Sequence, residues 1–147
     1  MTKINIEKSN HELISFDIAN SEFQKWADAK RLPQSALNKH EEDKEIIIEA
    51  IQKGYLSLDD ELCFVHKLSF PLNINSEGDK LSELRYKFRV TKGELSASTK
   101  GLRADNLVGE MSTCYISCLT EQPRSLIRAL DSTDSGLAEH IAAFFLI

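Results

Sequence analysis

Between Leu62 and Ile74 the even positions carry Leu62, Phe64, His66, Leu68, Phe70, Leu72 and Ile74, while Lys67, Ser69 and Asn73 stand on the odd ones. Successive side chains of an extended chain point to opposite faces, so this alternation reads as one long, half-buried strand. A slip of one residue would expose the whole apolar set. Pro71 donates no ladder hydrogen bond, which places the strand at an edge or makes it bulge there. Asn75-Ser76-Glu77-Gly78-Asp79 supplies a turn, with Gly78 free to take positive φ. The return strand sets Leu84, Tyr86, Phe88 and Val90 on one face and Arg85, Lys87 and Arg89 on the other. An amphipathic antiparallel β-hairpin therefore anchors the reading.

Helical periods flank it. Upstream, Ile14, Phe16 and Ile18 alternate with Ser15 and Asp17, predicting a short strand over Leu13–Ile18. Asn20 or Ser21 then caps a helix in which Phe23, Trp26 and Ala27 share a face, and Pro33 closes it. A second helix is expected from about Gln34 to Lys53, with a fresh start marked by Glu41-Glu42-Asp43, a buried stripe of Ile47, Ile48 and Ile51, and a stop at Gly54. Tyr55 to Glu61 reads as a linker. Downstream, Thr91 and Glu94 fit a capping box opening a short helix that ends near Gly101. A helix over about Ala104–Thr120 carries Leu107, Met111, Cys114, Tyr115 and Cys118. Another is expected over Pro123–Leu130, with Leu126, Ile127 and Leu130 inward. Ser132 or Thr133 caps the last, whose stripe is Leu137, Ile141, Phe144 and Phe145. The expected fold is α+β, with a strand–helix module at 1–60 and a hairpin packed by three to four short helices at 61–147.

Composition narrows the function. At 147 residues with 41% hydrophobic and 28% charged side chains, the chain can bury a core without a metal or disulfide. A net charge of −5 disfavours a nucleic-acid backbone as partner. The acidity is early: residues 1–60 hold eight Lys/Arg against twelve Asp/Glu, and 61–90 hold five against four. No apolar run approaches the roughly 18 residues of a membrane span, and Met1 to Asn10 is polar, unlike a signal peptide. Three cysteines, an odd number, read as free thiols, so a cytoplasmic location is expected.

Little points to chemistry. Cys63 and His66 fall on opposite faces of a strand and cannot close on one ion. Cys114 and Cys118 share a helix face, but without a second pair they read as core filling. His66 reads as a satisfied or rim histidine, and His11, His40 and His140 have no suggestive sequence neighbours. Asp59-Asp60-Glu61 reads as a solvated loop, and neither a nucleophile motif nor a phosphate-cradling loop occurs. No catalytic residue, metal ligand or cofactor is assigned. Two features suit binding: the apolar end of the chain, Phe144, Phe145, Leu146 and Ile147, and the pair Phe23 and Trp26 in the acidic module.

The order of elements from about residue 62 onward resembles the tail assembly chaperones of Mu-like bacteriophages. The resemblance runs through Leu68-Ser69-Phe70-Pro71-Leu72, the Gly78 turn, Leu84-Arg85-Tyr86-Lys87-Phe88 and Arg89-Val90-Thr91-Lys92-Gly93-Glu94-Leu95. It continues through Cys118-Leu119-Thr120-Glu121-Gln122-Pro123, Ala129-Leu130-Asp131-Ser132-Thr133-Asp134 and Ala143-Phe144-Phe145-Leu146. Val90 stands where the family often has proline, and Glu121 where it often has glycine. The resemblance implies a non-enzymatic protein that keeps the tape measure protein in solution until the tail tube surrounds it. Its implied partners are the tape measure protein and, further off, the tube protein, with self-association left open. The rival reading is a structural minor component retained in the finished particle.

Overall fold

The computed structural model describes residues 13–102 and 107–146, with only the backbone described at 107–109. The chain is α+β: seven helices and a three-stranded antiparallel sheet among the described residues.

Helix α1 spans Phe16–Ala29 and starts earlier than its pattern suggests. Ser15 is the cap, its hydroxyl accepting from the Ile18 N–H at 3.2 Å. The strand expected over Leu13–Ile18 is therefore absent. Three alternating apolar residues with no neighbouring strand to pair with do not hold an extended backbone against a capped helix, and Phe16 and Ile18 end up exposed. Ala19, Phe23, Trp26 and Ala27 form the buried face as expected. The helix ends at Ala29, with Arg31 in the left-handed region (φ 58°). Pro33 does not close α1; it is the N-cap of α2, Gln34–Lys39. The single long helix expected next is two, because His40 leaves helical geometry and α3, Glu41–Gln52, begins on the acidic cluster.

Gly54 stops α3 at φ 81°. The expected linker instead contributes β1, Leu56–Leu58, which pairs with β2, Phe64–Asn73. Asp59 organises the tight connection between them, its Oδ1 accepting from the backbone N–H groups of Glu61 and Cys63, both at 2.9 Å. Leu62 takes φ 63° in that connection and lies outside the strand. β2 is central, flanked by β1 and by β3, Lys80–Tyr86. Phe64 pairs with Tyr86 and His66 with Leu84, but the ladder shifts register between Lys67 and Leu72. The irregular stretch contains Pro71, which cannot donate to a ladder. Only the first half of β2's even-numbered face is buried, at Phe64, His66 and Leu68; Phe70 and Ile74 are exposed.

Helix α4, Lys92–Ser98, opens with the Thr91/Glu94 capping box. Helix α5 is Leu107–Thr120, and the start expected at Ala104 lies outside the described residues. Its inward face is Cys114, Ile116 and Leu119, with Met111, Tyr115 and Cys118 half-buried. Pro123 caps α6, Arg124–Arg128. Helix α7, Ser132–Ala143, is capped by Asp131 in place of Ser132 or Thr133: its carboxylate accepts from the Thr133 N–H at 3.0 Å. One cluster of buried side chains joins both halves of the chain, from Phe23, Trp26 and Ile47 through Phe64 and Tyr86 to Ile141 and Phe144. No described helix is long and apolar enough to cross a membrane.

Candidate functional site

Four of the six residues expected to meet a partner are interior. Phe23 and Trp26 are wholly buried, Phe144 is 1% exposed and Phe145 9%. They stack on one another: Phe23 meets Phe144 edge-on at 5.4 Å between ring centroids, and Trp26 meets Phe145 at 5.6 Å. The Lys30 ammonium lies 4.5 Å from the Phe145 ring centre and donates to the Phe88 carbonyl at 2.7 Å, so the end of the chain is pinned. Burial, then the charge of Arg89, lowers the Lys30 pKa. Leu146 is exposed, and Ile147 lies outside the described residues. Phe23 and Trp26 pack against Phe144 and Phe145, so these four side chains are not free to bind.

What the fold does leave open is a cleft of about 430 Å³ between α3, β2 and the start of α7. Ile46, Ala50 and Leu137 give it apolar walls, and Tyr55, Glu49 and Lys53 also line it. His66 and Asp134 contribute to its lining too, and they are 1% and 2% exposed. Asp134 sits in the first turn of α7, and its two oxygens accept from the backbone N–H groups of Ser69 and Phe70 at 2.9 and 3.0 Å. Those amides belong to the irregular stretch of β2, where the β3 ladder lapses and β1 no longer runs alongside. A carboxylate thus supplies the acceptors that the sheet does not.

His66 lies beside it, with Nε2 3.7 Å from Asp134 Oδ1 and Nδ1 2.9 Å from the Tyr86 hydroxyl. The tautomer that turns Nε2–H toward the carboxylate leaves Nδ1 to accept from Tyr86. Burial lowers the His66 pKa, against the opposing pull of Asp134. Burial, reinforced by the Asp134 charge, raises Tyr86 far above the ordinary phenol value, so it stays a neutral donor.

At the far end of the cleft His140 reaches Asp43 Oδ1 at 2.6 Å, while His40 holds Asp43 Oδ2 at 2.9 Å. Burial pushes the Asp43 carboxyl up, the hydrogen bonds from His140 and His40 pull it down, and the pull prevails. This bridge ties α7 to the start of α3. No sequence signal gave it away, because Asp43 and His140 lie 97 positions apart. Asp134 was equally hidden, since an acidic residue in a helix's first turn is ordinary.

Outside the cleft, the hairpin beyond Lys67 forms an arm on which every residue from Ser69 to Glu83 is exposed or half-buried. Phe70 is 56% and Ile74 50% exposed, and Leu72 pairs with Leu81 between them. Ser69 lines the cleft and Phe70 follows it directly, so the arm begins where the cleft ends. No protein-family model, curated protein or solved structure matches the chain.

Proposed function

We propose that this chain is a non-enzymatic tail assembly chaperone of a phage or phage-like particle, one that covers the tape measure protein until tube subunits replace it. The observation that carries the reading is the arm: Phe70 and Ile74 stand in solvent on a hairpin whose base is fixed to the body. Large apolar side chains held out on a hairpin are suited to an apolar helical face, which a long rod presents before its tube forms. The cleft at the base of the arm extends the same surface with apolar walls. The resemblance in element order adds support at one departure from the family's pattern. Glu121, where glycine is common, holds φ 58°, a conformation glycine adopts freely.

The test is recovery of partners by the tagged full chain from cells expressing the complete tail gene set. The expected result is one very long, helix-rich protein, lost when Phe70→Asp and Ile74→Asp are combined, with helicity and melting temperature unchanged. Recovery of tube or baseplate proteins alone, or of nothing, overturns the reading. The chain at fixed copy number in purified particles would assign it instead to the structural components of the tail.

A further inference from the structure

The cleft contains a buried carboxylate, Asp134, beside which no lysine or arginine stands among the described residues. Both Asp134 oxygens act as acceptors, and their donors are two neutral backbone amides. Its side-chain neighbour is His66, at 3.7 Å. Among the described residues, no lysine or arginine lies within ion-pair distance of it. Lys53 lines the same cleft but is paired with Glu49 at 2.8 Å, and His140 is engaged by Asp43. A carboxylate that is 2% exposed has lost most of its hydration, and a cation is the partner that restores most of what it lost.

The cleft that Asp134 lines also has hydrocarbon walls. Ile46, Ala50 and Leu137 line it, and α3 adds Glu49 to the lining, paired with Lys53. Hydrocarbon walls beside a carboxylate match a lysine or arginine side chain, whose methylene stem packs on hydrocarbon while its head seeks charge. We propose that the cleft receives a lysine or arginine side chain presented by a partner protein, its stem along Ile46, Ala50 and Leu137 and its cationic head on Asp134. The binding role proposed above supplies the partner; the site itself is defined by the cleft.

The test uses the full chain and small probes. n-Butylguanidinium and n-butylammonium imitate the two side chains, with n-butanol and n-butyrate as neutral and anionic controls. The expected result is saturable movement of the Ser69 and Phe70 amide and His66 ring resonances with either cation. The neutral probe should bind roughly tenfold more weakly, as the loss of one charge-assisted hydrogen bond implies. Asp134→Asn removes the preference for cations. Should that variant unfold, Leu137→Phe narrows the cleft without touching the carboxylate and should abolish binding of both cations. Equal binding of butanol and the cations, preference for butyrate, or no saturable movement overturns the proposal. A cation that binds while no tape measure protein is recovered refutes the chaperone reading and leaves this site standing. Recovery of that protein without cation binding does the reverse.

Discussion

At the scale of single residues, His66 carries the clearest pH dependence. Its imidazole is harder to protonate in the fold than at its ordinary value of 6.5, because burial penalises the charged ring. The unfolded chain therefore binds the proton first. Stability is at full strength above about 6.5, falls as the pH drops below that value, and levels off beneath the folded pKa. The urea midpoint should decline between pH 7 and pH 5, and His66→Leu should flatten that part of the curve. Asp43, whose pKa is lowered, acts in a lower window: its contribution is present above about 3.8 and lost as acid titrates the folded group. Trp26 makes a different point at the same scale. It is wholly buried and packs on Phe64 at 4.8 Å between ring centroids, so Trp26→Ala should cost about 3–5 kcal/mol in chemical denaturation. A value near zero would restore it as a surface residue.

At the scale of elements, two left-handed positions predict opposite responses. Gly54 has φ 81°, and a Cβ there would meet only the tip of Leu13, at 2.9 Å. That tip can move, so the cost of Gly54→Ala is the backbone's, about 1–2 kcal/mol. Glu121 already bears the cost at φ 58°, and Glu121→Gly should raise stability by about 0.5–1 kcal/mol once unfolded-chain entropy is counted. Thermal unfolding of both variants checks the pair. Elements whose cause is local were legible in the sequence: the hairpin with Gly78 at φ 91°, the Thr91 capping box, the acidic start of α3 and the shared face of Phe23, Trp26 and Ala27. Those decided by distant partners were not. Leu56–Leu58 is a strand because β2 lies beside it, and Leu13–Ile18 is not one because no strand does. The cleft was invisible for the same reason: His66 and Asp134 come together only when α7 docks on β2.

At the scale of the molecule, one core holds side chains from the first described helix and from the end of the chain. Phe144 and Phe145 seal it, so ending the chain at Ala143 should abolish cooperative melting and expose the protein to protease, where a mere binding tail would leave the melting curve unchanged. The hold that Asp134 keeps on Ser69 and Phe70 has a consequence at this scale too. Past β1, the border of β2 lies without a partner strand, and unpaired strand borders are where a passing extended chain can add, the way aggregates begin. A carboxylate from another part of the fold occupies the Ser69 and Phe70 amides there. That stretch of β2 is thereby less open to strand addition, at the point where the strand runs out into an apolar arm.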